Sequence, residues 1–375
     1  MFSYNLPVNI LFGCGTSEQI GRLVADFGQR ALIVTGKSSA RRSGLLDRVV
    51  SQLEEEKVTW TLFDEVEQNP LTTTAEKGAA QARQEQCTVL VALGGGSVID
   101  AAKGIAFMAA NTGDINDYIF GRLSSPDALP LVAVPTTCGT GSEGNSFAVF
   151  TNPQNGDKKS LRCKAIVPAV SIVDPLLMTT MPPKVLASVG FDALCHGMEA
   201  FISRAGQPLA TLYARECMRL AARALPRVYA SYEDILALED LTWAATLGGM
   251  SIGVAGVALP HSMEHPASGL RNLQHGRGLA ALTPPITDAS CMRAPELYEA
   301  VGRELGVKRA SECGDALRTL LEGIGLLTTL GAEGIEEKDV DWMTENCFKV
   351  SAAGIDNHPV SFDREGIREL YVRSL

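Results

Sequence analysis

Short β-branched runs alternate with helix-like stretches over the first half of this chain, and this alternation restricts the fold more than any other feature. The strand-like runs cover residues 31–35, 58–63, 88–93, 131–134 and 171–173. Between them, residues 44–56 and 72–86 carry apolar side chains at helical spacing. Strands that alternate with helices form a mostly parallel sheet with helices packed against it. We therefore predict a doubly wound α/β domain.

The character of the sequence changes after Met181-Pro182-Pro183. β-rich runs disappear there, and segments rich in Ala and Leu, such as 208–230 and 294–305, take their place. A chain of 375 residues is also longer than one hydrophobic core usually serves. The sequence thus predicts an α/β domain over 1–182 and an all-helical domain over 183–375.

Composition argues against several classes of partner and location. Acidic residues outnumber basic ones by 43 to 33 without a long basic run, so nucleic acid is not an expected partner. Residues 241–260 carry no charge, but Gly, Ser and Thr dilute their hydrophobicity, which indicates a buried core helix and no membrane span. Nine scattered cysteines and an amino terminus without a secretory pattern predict a reducing, cytoplasmic location.

Two glycine- and threonine-rich loops follow two of the predicted strands. The run 88–93 leads into Gly-Gly-Gly-Ser and then a helix, where free N–H groups and the helix dipole favour a phosphate. The run 131–134 leads into a second loop with three threonine hydroxyls. A tight turn without a ligand is the alternative for the glycines alone, but two such loops favour a dinucleotide site. The residues predicted to bind the cofactor here are Gly94, Gly95, Gly96, Ser97, Asp100, Thr136, Thr137 and Thr140.

The residue that ends the strand-like run 31–35 bears on the choice of cofactor. A carboxylate at this point would bind the ribose hydroxyls of NAD and repel the 2′-phosphate of NADP. This chain has Gly36, followed by Lys, Ser and Arg residues that offer space and donors. NADP is therefore favoured over NAD.

Four of the five histidines fall close together in the second half of the chain. Asp192 and His196 are four residues apart, which places both side chains on one face of a helix, and His261 and His265 repeat that spacing. With His275 they offer one carboxylate and several imidazoles, a ligand type that suits Fe²⁺ or Zn²⁺ and leaves a position for a substrate oxygen. Spacing alone leaves open which three histidines bind the metal.

These motifs together resemble the iron-containing (group III) alcohol dehydrogenases, which share a fold with dehydroquinate synthase. The resemblance extends over nearly the whole chain and includes the Gly-Gly-Gly-Ser turn with Asp100 and Lys103, the 135–143 loop, the helix segment 192–199 and the histidine series. Two positions depart from the family pattern. Gln274 stands where Pro is frequent, and His358, which we interpret as a surface or structural residue, stands in a replaced Asn-Pro-Arg motif.

The resemblance implies a role for each residue of the site. Asp192, His196, His261 and His275 would ligate the metal, and His265 would lie beside the nicotinamide as a catalytic proton relay. Asn145 and Lys158 would contact the cofactor, and Phe147, Ile252 and Val257 would line a pocket for a small alcohol or aldehyde. A homodimer or larger homo-oligomer is also implied.

The expected reaction is hydride transfer between NAD(P)(H) and a small alcohol or aldehyde, with Fe²⁺ or alternatively Zn²⁺ as Lewis acid. A dehydroquinate synthase-like lyase is one alternative, although few basic residues are available to bind a substrate phosphate. A catalytically silent structural subunit is the other.

Overall fold

A computed structural model describes residue 2 and residues 4–375. The strands are β1 Asn9–Phe12, β2 Arg30–Gly36, β3 Thr59–Val66, β4 Val89–Gly94, β5 Leu131–Pro135, β6 Phe147–Thr151, β7 Lys158–Arg162 and β8 Val170–Val173. The helices of the first half are α1 Ile20–Ala25, α2 Ser39–Arg42, α3 Leu45–Glu55, α4 Thr72–Gln84, α5 Gly96–Ala110 and α6 Ile115–Ile119. Those of the second half are α7 Pro183–Ile202, α8 Pro208–Ala230, α9 Ile235–Ala255, α10 Leu259–Arg271, α11 His275–Ser290, α12 Pro295–Glu304, α13 Cys313–Gly323, α14 Val340–Asn357 and α15 Arg364–Arg373.

Six strands form one sheet in the order β1-β8-β5-β4-β2-β3, and all of its pairings are parallel. Neighbouring parallel strands end at the same edge of a sheet. Register pairs Thr35 with Leu93 and Gly94 with Pro135, so the loops after β2, β4 and β5 lie side by side. This edge is where an open α/β sheet normally binds its ligand.

Both faces of the sheet are buried. Alternate residues of a strand point to opposite faces; Ile33 and Val91 pack with α1 and α3, whereas Leu32 and Leu90 pack with α4 and α5. Helices on both faces explain why these strands are apolar without interruption. The predicted doubly wound α/β domain is confirmed.

The second half is helical, as predicted, and its helices pack around two apolar clusters. Helix α7 is apolar and long enough to resemble a membrane span, but 83% of that window is buried against the rest of the protein. The charge-free stretch 241–260 runs from within α9 into the start of α10, and the chain bends by 101° between these two helices. Most of α9 from Leu241 to Ala255 is buried, as predicted for a core helix.

Three strands were missed by the sequence analysis. β1 has four residues at the sheet edge, and β6 and β7 form a separate antiparallel hairpin. β7 reads Lys-Lys-Ser-Leu-Arg, without the β-branched residues that indicate a strand. β8 ends at Val173 and α7 begins at Pro183. The division into 1–182 and 183–375 as independent domains stays a prediction.

Candidate active site

The glycine turn and the threonine loop contact each other. β4 ends at Gly94 and α5 begins at Gly96, and a Cβ atom at Gly95 would lie 2.8 Å from Thr137 Oγ1. A side chain on Gly96 would likewise collide with Thr140. Only glycine allows the two loops to approach this closely. They therefore form one continuous surface at the end of the sheet.

A cleft of about 790 Å³ runs from this surface to the histidine cluster. Most of the predicted site residues line it. From the predicted cofactor site they are Gly96, Ser97, Asp100, Thr140, Asn145 and Lys158; from the predicted pocket, Phe147, Ile252 and Val257; and from the histidine cluster, Asp192, His196, His261, His265 and His275.

The other predicted cofactor residues lie at the same sheet edge without lining the cleft. They are Gly36, Gly94, Gly95, Thr136 and Thr137. The N–H of Thr136 donates to the carbonyl of Gly94 over 3.0 Å, so the inner ends of the two loops are tied to each other. These residues lie at the sheet edge outside the cleft lining, and their contact with a cofactor stays a prediction.

Two buried ionisable side chains of α5, Lys103 and Asp100, bind the hairpin and the loop that precedes it. Lys103 is fully buried and donates to the Ser142 hydroxyl (2.9 Å), to Asn145 and to the Phe147 carbonyl (2.7 Å). Asp100 accepts from the Ser142 hydroxyl (2.5 Å) and the Val149 N–H (2.9 Å). Burial lowers the pKa of Lys103 to about 8, although Asp100 opposes that shift. Both side chains are thus occupied in positioning the cleft wall, a function that the sequence analysis did not assign.

Four candidate metal ligands converge from three helices. The Oδ1 atom of Asp192 lies 3.5 Å from Nε2 of His196, 3.3 Å from Nε2 of His261 and 3.7 Å from Nε2 of His275. The ligand atoms of Asp192, His261 and His275 all lie within 4.8 Å of one another. α7 supplies the first pair, α10 supplies His261, and α11 begins at His275.

Two glutamates orient two of these imidazoles. Glu199 Oε1 lies 2.5 Å from Nδ1 of His261, and Glu264 Oε2 lies 2.5 Å from Nδ1 of His275. When Nδ1 donates its proton to a carboxylate, the Nε2 lone pair is free for a metal. Neither glutamate was predicted from the sequence to have a role. Their spacing contained the signal, because each follows a candidate ligand, His196 or His261, by three residues on the same helix.

The chemistry of the cluster fits a divalent cation. Asp192 Oδ1 and His261 Nε2 are buried and have no hydrogen-bond partner among the residues that the structure describes. Unsatisfied polar atoms that converge in a protein interior need a counterpart, and a cation supplies one. Although burial opposes ionisation, the three imidazoles hold the pKa of Asp192 well below its ordinary value, so the carboxylate is charged and ready to bind a metal.

His265 lies at the edge of this cluster. Its ring centroid is 6.0 Å from that of His275, and its Nδ1 is 3.4 Å from the Ser351 hydroxyl. Burial, reinforced by the Lys158 cation, holds the pKa of His265 well below its ordinary value, so the ring is neutral. Lys158 itself approaches Glu264 Oε2 at 3.4 Å. A neutral imidazole open to the cleft is able to accept a proton.

The burial of His358 excludes one of its two predicted roles. It is only 1% exposed, and its Nε2 lies 2.9 Å from the Ser290 hydroxyl. The interpretation of His358 as a surface residue is therefore wrong. Its interpretation as a structural residue agrees with this burial. Burial lowers the pKa of His358 to about 4.

Exposed cations lie close in sequence to Gly36. Lys37 and Arg42, both exposed, form no ion pair within the described part of the chain, whereas Arg41 is paired with Asp64 at 3.1 Å. A Cβ atom on Gly36 would make only an ordinary contact, at 3.5 Å from the Val66 carbonyl. The absence of a carboxylate at this position is thus not imposed by sterics.

Comparison with known proteins identifies the family. Residues 7–175 match the family model of the iron-containing alcohol dehydrogenases, and residues 186–375 match the model of that family's C-terminal region. The chain belongs to the iron-containing alcohol dehydrogenases. It is 33% identical to 1,3-propanediol dehydrogenase of Klebsiella pneumoniae over 93% of both chains, and 29% identical to the NAD-dependent methanol dehydrogenase of Bacillus methanolicus over 93% of this chain and 94% of that protein.

Solved structures of family members have the same fold as this chain. An alcohol dehydrogenase from an archaeal halo-thermophilic source in a Red Sea brine pool superposes with a TM-score of 0.96 at 34% identity, covering 100% of this chain and 99% of that one. A 1,3-propanediol oxidoreductase gives a TM-score of 0.92 at 31% identity over both full chains. This family member is an alcohol dehydrogenase, and the matches support neither the lyase nor the silent subunit.

Proposed function

We propose that this alcohol dehydrogenase interconverts a small alcohol and its aldehyde with NADP(H) or NAD(H), using Fe²⁺ bound by Asp192, His196, His261 and His275. The observation that carries the proposal is the meeting of Asp192 Oδ1 with three imidazole nitrogens within 3.3–3.7 Å, in the same cleft as the glycine turn. Zn²⁺ is the alternative metal for this ligand set.

The bound groups supply Lewis-acid polarisation of the substrate oxygen and a hydride donor or acceptor at the nicotinamide. The chain supplies the rest. Glu199 and Glu264 keep two ligating imidazoles oriented. Phe147, Ile252 and Val257 line the cleft with apolar surface, which excludes water and limits the size of the substrate.

His265 is the proposed proton carrier. It is neutral, lines the cleft and lies 3.4 Å from Ser351, which lines a second cavity on the far side. In alcohol oxidation it accepts the hydroxyl proton, directly or through water, and passes it towards Ser351. In aldehyde reduction the direction is reversed.

The environment of Gly36 supports NADP over NAD, because Lys37 and Arg42 form no ion pair with any described residue and no carboxylate follows the strand in the sequence. A homodimer or larger homo-oligomer is consistent with the sheet edges, where Phe12 of β1 and Trp60 of β3 are 37% and 40% exposed. All nine cysteines are free thiols, which supports a cytoplasmic location.

The experiment that tests this site compares Asp192→Asn with a matched surface variant, Asp117→Asn, whose carboxylate pairs with Arg122 away from the cleft. Metal per chain and oxidation of short primary alcohols are measured with both nicotinamide cofactors. Asp192→Asn should lose bound metal and turnover together, because the neutral amide no longer offsets the metal charge. Retention of metal and turnover by Asp192→Asn would contradict the proposed ligand set.

A further inference from the structure

The β6–β7 hairpin carries a cation that no carboxylate neutralises in the described part of the chain. The guanidinium of Arg162, at the end of β7, lies over the ring of Phe147 at 4.3 Å from the centroid. It makes no ion pair or hydrogen bond to any residue from 4 onwards. By contrast, Arg219 and Arg277 each bind a glutamate through two nitrogens.

Arg162 lies between the metal cleft and a second cavity of about 900 Å³. Ser160, Val257 and His265 also line both spaces. The second cavity is lined by no residue of the glycine turn or the threonine loop. A molecule that reaches from the metal towards this cavity therefore moves away from the phosphate-binding surface. Because Arg162 lines both spaces, it could contact the far end of such a molecule.

A second cation extends the positive charge. Lys159 lines the second cavity, and its ammonium donates to the Val350 carbonyl over 2.8 Å, while none of the described carboxylates lies within ion-pair distance of it. The acid on the same hairpin, Asp157, is occupied by Lys349 at 2.7 Å. Burial, followed by the nearby Arg162 charge, lowers the pKa of Lys159. Arg162 itself is exposed. An anion placed between the two cations would reduce the repulsion between them.

We propose that Arg162 binds an anionic group at the far end of the substrate's carbon chain. The preferred substrates are then aldehydes and alcohols that end in a carboxylate or a phosphonate, both of which a guanidinium binds through two parallel hydrogen bonds. The inference rests on the proposed function, since it requires that the reacting carbon lies at the metal. It assigns Arg162, which the family resemblance did not single out, to substrate selection.

The test uses the metal-loaded enzyme with ω-oxo carboxylates of increasing chain length, each paired with its neutral methyl ester, and with the corresponding phosphonates. The wild type should show a higher kcat/KM for one anion length than for its ester. Arg162→Met should reduce that ratio about tenfold to a hundredfold, as expected for loss of a charge-assisted hydrogen bond. Arg162→Lys should retain part of it.

Arg215→Met is the matched control. Arg215 is exposed and lies over the ring of Phe201 at 5.4 Å, but it lines neither cavity, so its replacement should leave the ratio unchanged. Calorimetric titration with the hydroxy acids and their esters makes the same comparison without turnover. Equal preference for acid and ester in the wild type overturns the inference, as does an Arg162→Met effect confined to KM for the cofactor. Metal-dependent turnover of neutral aldehydes without a preference for acids refutes only this inference. Turnover that does not depend on metal, with any of these substrates, refutes the proposed function.

Discussion

Replacing Glu199 by glutamine should weaken metal binding although the side chain keeps its shape. Glu199 accepts two short hydrogen bonds, from Nδ1 of His261 at 2.5 Å and from the N–H of Ala258 at 2.6 Å. A glutamine has one acceptor and one donor. If its oxygen faces His261, the N–H of Ala258 at the start of α10 loses its partner. If its nitrogen faces His261, the imidazole proton moves to Nε2 and blocks the lone pair that the metal needs.

The first arrangement leaves a buried N–H unsatisfied, which costs about 1–3 kcal/mol, and the second removes a lone pair that the metal requires. We therefore expect the metal dissociation constant of Glu199→Gln to rise about tenfold to a hundredfold. The assay is anaerobic competition for Fe²⁺ or Zn²⁺ with a chromophoric chelator, with thermal unfolding as the check on folding. Glu216→Gln is the control, because Glu216 binds Arg219 at the surface of α8. An unchanged metal affinity in a folded Glu199→Gln protein would refute the reasoning.

Three further predictions concern the cofactor, the proton and stability. Gly36→Asp should move the ratio of kcat/KM for NAD to that for NADP towards NAD by at least about tenfold, since a carboxylate repels the 2′-phosphate and its Cβ atom fits 3.5 Å from the Val66 carbonyl. His265→Ala should lower kcat by about a hundredfold while metal per chain stays at the wild-type level, whereas His261→Ala should lose metal. The pKa of His358 is lowered to about 4 in the folded protein. Between about pH 6.5 and about pH 4 this histidine is therefore protonated in the unfolded chain but neutral in the folded protein. His358 should therefore contribute a fall of about 3 kcal/mol to the free energy of unfolding as the pH falls through that window, and His358→Gln should remove that share of the slope in urea titrations.

Each of these has a contradicting result. A Gly36→Asp protein that weakens both cofactors alike would mean that the 2′-position lies elsewhere. Loss of metal from His265→Ala to the level of His261→Ala would make His265 a ligand. An identical pH slope for wild type and His358→Gln would show that other groups govern acid unfolding.

The two halves of the fold were predictable because their periodicities differ. Runs such as 88–93 are apolar without interruption, as a strand covered on both faces requires, whereas 208–230 repeats apolar residues at helical spacing. β6 and β7 escaped because a two-stranded hairpin is stabilised by its packing against α5 and α10, and a polar sequence such as Lys-Lys-Ser-Leu-Arg gives no local signal. The position of Arg162 beside the cleft was therefore not predicted.

The candidate metal site was predictable only in part. Helical spacing brought Asp192 together with His196 and made His261 and His265 a pair, yet the three-residue cluster that the fold assembles takes His275 in place of His265. That choice depends on the turn between α10 and α11, where Asn272 has a φ of 50°. A residue in the left-handed region reverses the chain and returns the first residue of α11 to the cluster. Sequence spacing carries no information about such a reversal.

Anaerobic reconstitution of metal-depleted protein tests the central claim most directly. Oxidation of NADPH and NADH is followed with short aldehydes before and after addition of Fe²⁺ or Zn²⁺. The account predicts turnover only with metal, and faster with NADPH. Equal turnover without metal, or no turnover with any metal despite tight metal binding, would contradict it.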